Sequence, residues 1–215
     1  EIGTDAVAHG RLFLAPGPPR PAAWSVNTWF EPRRLPVASI GEADRVPELQ
    51  RRACELALAA RDQAGALGAD VAIAGCLPPL NGTYRPDLVR PFDTNFDEYR
   101  RLAELQAPHV DLFVCETMST ADEGRAAATA ASETSKRVWV SWCLGEGGGK
   151  LRSGESIGEA TAGLRDLRIA AVLANCSPPE SIAAAMPELV ATGIAAGGYA
   201  NGFTTIPVGY RPGRT

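Results

Sequence analysis

The sequence predicts an α/β fold, a parallel β-sheet covered by helices, and three observations carry that expectation. Short β-branched or apolar runs recur at residues 71–76, 110–115, 138–142, 169–174 and 193–199. Stretches with helical character fall around them, at 43–67, 95–107, 120–135, 156–164 and 179–191. The runs are apolar at consecutive positions, as suits strands buried on both faces, and strands that alternate with helices build parallel β/α units. Such a sheet either closes into a barrel or stays open.

Taken in order, the first 40 residues are irregular. Pro16, Pro18, Pro19, Pro21, Pro32 and Pro36 break any long element there, and no strand-helix pair can be placed. After the helix at 43–67, the run 71–76 ends on Cys76 and meets the rigid turn Leu77-Pro78-Pro79. The helix at 95–107 leads through the connector residue His109 into 110–115, which ends at Cys115-Glu116. Thr120 with Glu123 spells a capping box for the next helix. The run 138–142 gives way to Cys143 and then to the flexible glycine loop Gly145-Glu146-Gly147-Gly148-Gly149-Lys150. The run 169–174 is followed by Asn175-Cys176-Ser177-Pro178-Pro179-Glu180, where Ser177, Pro178 and Glu180 read as N-cap, first-turn proline and N3 carboxylate.

Composition bounds the function. At 215 residues the chain suits one domain, residues 1–215, with one sizeable core. Hydrophobic residues at 45% and charged residues at 21% are ordinary globular values, and no apolar run is long enough to span a bilayer. A net charge of -4 without clustered Lys and Arg argues against nucleic acid as a partner. Residues 1–9 carry neither a basic n-region nor an apolar h-region, so the cytoplasm is the expected location. Cys54, Cys76, Cys115, Cys143 and Cys176 form an odd, unpaired set that suits a reducing compartment.

Two residues stand out chemically. Cys176 sits at a strand-to-helix turn, where helix amides and dipole would favour a thiolate able to bind metal or attack an electrophile; the alternative is a small buried thiol. Glu116 places a carboxylate at the end of a buried strand, a position that commonly holds substrate amines or a base; the alternative is a solvated loop acid. Asp111, one residue into the strand, reads as structural. Neither lysine, Lys136 nor Lys150, stands at a strand end, which excludes a Schiff-base aldolase. His9 and His109 leave no two-histidine metal site. The glycine loop is no phosphate loop, because Leu144 and Leu151 stand where glycine and Ser or Thr are needed.

The loops together resemble the homocysteine S-methyltransferase family, zinc-dependent thiol methyltransferases on a (β/α)8 TIM barrel. Gly3-Thr4 resembles the end of the family's Asp-Gly-x-x-Gly-Thr loop, and Val26-Asn27-Thr28-Trp29 its Thr-Asn-Thr-Tyr strand end. Gly75-Cys76-Leu77-Pro78-Pro79 with Tyr84-Arg85-Pro86-Asp87 is similar to the next loop, with Cys76 where serine is common. Phe113-Val114-Cys115-Glu116-Thr117-Met118 resembles the strand whose glutamate contacts the homocysteine amine. Val138-Trp139-Val140-Ser141 with Leu151-Arg152-Ser153-Gly154-Glu155-Ser156 is similar to the fifth unit, Asn175-Cys176-Ser177 to the first zinc-ligand motif and Tyr199-Ala200-Asn201 to the seventh strand. The resemblance implies that Glu116, Gly3, Thr4 and Asn27 bind substrate and that Cys176 binds zinc. It implies as partners homocysteine and a small methyl donor, with methionine as product.

Two departures set the expectations to be tested. No cysteine follows Cys176, whereas the family's second and third zinc ligands form a late Gly-Gly-Cys-Cys motif, and one thiol does not hold zinc alone. Between Gly10 and Asn27 there is too little chain for the family's first helix and second strand. The barrel is therefore expected to be incomplete within these 215 residues, as part of a longer polypeptide. The competing expectation is a metal-free barrel that binds a small amino acid or thiol without catalysis. A barrel enzyme using Glu116 as general base ranks last, since no partner acid is visible.

Overall fold

The computed structural model describes residues 8–9, 23–26 and 45–201. Its strands form one seven-stranded sheet in sequential order, β1 (Ala8–His9), β2 (Ala23–Val26), β3 (Ala72–Leu77), β4 (Leu112–Met118), β5 (Arg137–Cys143), β6 (Ile169–Asn175) and β7 (Ala195–Tyr199). β2 to β7 run parallel, and β1 lies antiparallel on β2. Sequential parallel order is the order of a β/α barrel, and among the described residues β7 pairs only with β6, so the described part of the sheet is open.

Residue patterning placed no strand-helix pair in the first 40 residues, and only the resemblance put a strand end at Val26; β1 and β2 lie there, and β2 ends on Val26. They are two and four residues long, too short to show a periodicity. The five strands foreseen from residue 71 onward are all present. The helices α1 (Val46–Gln63), α2 (Phe92–Gln106), α3 (Ala121–Ser132), α4 (Ile157–Ala162) and α5 (Pro179–Ala191) follow the expected order. α5 spans the predicted 179–191, and the others differ at their ends by a few residues.

Capping departs from expectation at two helices. Thr120 Oγ1 accepts from Glu123 N at 3.0 Å, but the Glu123 carboxylate accepts from Ser119 N rather than from the N-cap, so only half of the capping box forms. A complete box appears instead at α4, between Ser156 and Glu159. At α5 the N-cap is Pro178, which has no capping side chain, and Ser177 is drawn elsewhere.

Alternation along the strands divides the core in two. Ile73, Phe113, Cys115, Val138, Val140, Trp142, Val172, Ala174 and Ala196 face the helices in the larger cluster. Ala74, Leu112, Val114, Trp139, Ala171 and Leu173 form a second cluster on the opposite, inner face. Side chains alternate faces along a strand, so both faces being apolar explains why the runs read as continuous. Trp142 is fully buried against α3, where Gly124 leaves room for its ring. α2 anchors the end of β3. Gln106 Nε2 donates to Cys76 O at 3.0 Å, and Tyr99 OH donates to Pro78 O at 3.0 Å.

Candidate functional site

Continuing the inner-face alternation past the apolar layer leads to one polar cluster at the carboxyl ends of the strands. Two residues beyond Ala74 stands Cys76; beyond Val114, Glu116; beyond Trp139, Ser141; beyond Leu173, Asn175; and β7 ends on Tyr199. Cys115, the last residue of the run 110–115, points the other way into the helix-facing core and is fully buried. It is a packing residue because it is one position out of phase with Glu116. Burial holds its thiol well above the usual range.

Glu116 is buried and fixed at both oxygens. Cys76 Sγ donates to Oε1 at 2.8 Å, and Tyr199 OH donates to Oε2 at 2.7 Å. Burial, reinforced by the neighbouring Glu116 carboxylate, pushes the pKa of Cys76 and of Tyr199 well up, so both keep their protons and act as donors at neutral pH. The two donors arrive from β3 and β7, on either side of β4.

The register of β4 on β5 shifts between Cys115 and Met118, and Thr117 within that irregularity has φ +64°. A positive φ is costly for a β-branched residue. Asn175 over-determines it. Its Oδ1 accepts from Thr117 N at 3.0 Å and from Ser141 Oγ at 2.7 Å, and its Nδ2 donates to Thr117 Oγ1 at 2.8 Å.

Cys176 follows directly, also left-handed, with φ +48°. Asn175 Nδ2 approaches its sulfur at 3.2 Å and Thr117 Oγ1 at 3.5 Å, and the Tyr84 side chain bonds to it as well. Tyr84 is a third residue with positive φ, at +66°. The expectation that the helix start would lower the Cys176 pKa is corrected. Burial raises it first and nearby Glu116 adds to the rise, while bonds from Thr117, Tyr84 and Asn175 only oppose it. Ser177 does not cap α5 because its Oγ donates to Asn175 O at 2.8 Å and accepts from Leu144 N at 2.9 Å. That pair ties the Cys176 turn to the end of β5. Cys176 N donates to Tyr199 O at 3.3 Å and Asn201 N to Ser177 O at 3.0 Å, tying it to β7.

The glycine loop after β5 is pinned at its base. Leu144 and Leu151 form an antiparallel bridge, Lys150 pairs with Ser156, and Arg152 N donates to Cys143 O at 3.1 Å. The Arg152 guanidinium lies over the Tyr84 ring, 5.4 Å from its centre. Asp111 accepts from Ile73 N at 2.7 Å and pairs with Arg61, away from this cluster.

Of the residues singled out in the sequence, Glu116 and Cys176 come together here, joined by Cys76, Tyr84, Asn175 and Tyr199. Gly3, Thr4 and Asn27 lie outside the described residues. Cys76, Ser141, Asn175 and Tyr199 stood in the motifs of the resemblance without a role; they come from distant strands, and the period-2 continuation of each inner face is the signal that collects them. A thiol at this position is chemically suited to zinc, and Cys176 fits as one ligand. Among the described residues no group of three or more His, Cys, Asp or Glu is arranged to hold a metal ion, so they do not complete a zinc site by themselves.

Comparison with known proteins agrees with this fold. The homocysteine methyltransferase MmuM from Escherichia coli shares the fold. Its metallated form gives a TM-score of 0.63 at 22% identity, covering 78% of this chain and 71% of MmuM. The oxidized form gives 0.64 at 22% over the same shares, and the apo form 0.59 at 19%, covering 75% and 71%. No curated protein matches the chain. The sequence model described as homocysteine S-methyltransferase matches residues 25–211, and by that match the chain belongs to the homocysteine S-methyltransferase family.

Proposed function

We propose that this chain transfers a methyl group from a small donor to the thiolate of homocysteine, giving methionine. The observation that carries the reading is Glu116, a buried carboxylate held at 2.8 Å and 2.7 Å by two protonated donors at the strand ends, near Cys176. In this reading Glu116 takes the amino group of homocysteine through its remaining lone pairs. Fixing the carboxylate beforehand lowers the cost of ordering it when the substrate arrives. Gly3, Thr4 and Asn27 would shape the same end of the sheet.

Cys176 would serve as one zinc ligand, with the others supplied from outside the described residues. Zinc bound there would keep the substrate sulfur deprotonated at neutral pH. In the transfer itself, a lone pair on the homocysteine sulfur forms the new carbon–sulfur bond. The bond between the methyl carbon and the donor heteroatom breaks, its electrons stay on the donor, and the thiol proton leaves to solvent. The raised pKa of Cys176 means that ligation costs a proton, so metal affinity should rise with pH.

Methionine formation by the full-length protein, measured by mass spectrometry with homocysteine and S-methylmethionine, betaine or S-adenosylmethionine, tests the proposal. Product is expected with at least one donor, lost on chelation and regained with zinc. Glu116→Gln should raise the KM for homocysteine by about 10-fold or more, the scale of one charge-assisted bond. Absence of methionine with every donor, in zinc-replete protein, would sink it.

A further inference from the structure

Arg152 is set apart from the other arginines. Most of the described ones pair with a carboxylate: Arg45, Arg51, Arg52, Arg61, Arg85, Arg90, Arg100 and Arg125. Those that pair with none, Arg101, Arg137, Arg165 and Arg168, are exposed to water. Arg152 is half-buried, and among the described residues its guanidinium has no carboxylate partner. Its contact is the face of Tyr84, at 5.4 Å. The nearest acid in sequence, Glu155, is committed elsewhere, accepting from Ala121 N at 3.0 Å and from Ser153 Oγ.

A half-buried cation without an anion is poorly compensated, because an aromatic face returns less than a bidentate carboxylate does. The position is built, not incidental. Arg152 N is held by Cys143 O at 3.1 Å, and the Leu144–Leu151 bridge fixes the segment that precedes it. The tyrosine beneath the guanidinium bonds to Cys176, so the cation stands next to the proposed sulfur site. Tyr84 lies against one side of the guanidinium, and among the described residues no carboxylate meets its N–H groups.

We infer that Arg152 is a specificity-determining residue that receives a carboxylate of one of the two substrates. This rests on the methyltransferase reading for the identity of the substrates, but not for the presence of the carboxylate. The carboxylate belongs either to homocysteine or to an amino-acid methyl donor, and a binding experiment separates the two.

The experiment is calorimetric titration of the full-length, zinc-loaded protein with homocysteine, with S-methylmethionine, and with the carboxamide of each. Wild type should bind one acid about 10-fold more tightly than its amide, the worth of one charge-assisted contact. Arg152→Gln should remove that preference while leaving the affinity for the amide unchanged, and Arg152→Lys should restore part of it. Loss of preference with homocysteine assigns the carboxylate to the acceptor; loss with S-methylmethionine assigns it to the donor. The inference is overturned if acid and amide bind alike to wild type, if Arg152→Gln weakens both equally, or if no ligand binds. Methionine formation is read separately, so acid-selective binding without turnover would defeat the methyltransferase reading and leave this one standing.

Discussion

Cys76 shows how one side chain can matter through another. Its thiol touches Glu116, and burial beside that carboxylate keeps the proton on sulfur. Cys76→Ala would leave Oε1 without its buried donor, a loss of about 1–3 kcal/mol in the group's environment. The expected outcome is a KM for homocysteine raised by about 10-fold with kcat changed less, since about 1.4 kcal/mol is tenfold in binding. Cys76→Ser should restore wild-type behaviour, because a hydroxyl donates from the same place. Equal KM values for the Ala and Ser variants would remove Cys76 from this role. At this scale the sequence was half legible. Glu116 and Cys176 declared themselves by standing at the ends of apolar runs. Tyr199 and Asn175 stood within motifs of the resemblance but without a role, because their partners, Glu116 and Thr117, lie 83 and 58 residues away and only strand pairing unites them.

At the scale of elements, the contact between α3 and β5 is the tightest test of the packing. A Cβ on Gly124 would lie 2.6 Å from Trp142 Cη2 and closer still to Cζ3. Ala is the better helix former by about 1 kcal/mol, yet the ring is fully buried and has nowhere to go. Overpacking of this kind costs about 1–3 kcal/mol, so Gly124→Ala should lower the denaturation midpoint despite its propensity gain. A rise in the midpoint would mean that the helix shifts freely. Element positions were legible wherever a run of five or more apolar residues met a turn residue. Capping was less so, because Ser177 and Glu123 had alternative backbone partners in three dimensions that outcompeted the local ones. β2 showed no periodicity for a different reason: four residues are too few, and only the motif that begins at its last residue, Val26, marked it.

For the whole molecule, the buried thiols predict how stability responds to alkali. Burial pushes Cys54 up to about 11 and Cys143 up to about 12, with Cys76 and Cys115 shifted the same way. In the unfolded chain these thiols ionise near the ordinary value of 9.0. Above that pH the unfolded state releases protons that the folded state keeps, so stability falls as pH rises. The contribution is fully present below about pH 9 and is lost progressively as the pH passes through the folded values. Denaturant titrations at pH 8 and pH 10.5 under reducing conditions should show a lower midpoint at the higher pH, and Cys54→Ala should reduce the difference. An unchanged midpoint would place these thiols in contact with water.

The division of labour within each strand has one more consequence. On β3 to β7 the residues that pack on the helices and those of the inner face alternate along the same backbone, and the inner set ends in about one polar position per strand. Replacing one such position changes the inner face while leaving the apolar packing on the opposite face in place, and each position belongs to a separate stretch of the chain. The arrangement thus separates what holds the sheet to its helices from what lines its inner end, so the two can change independently, one side chain at a time.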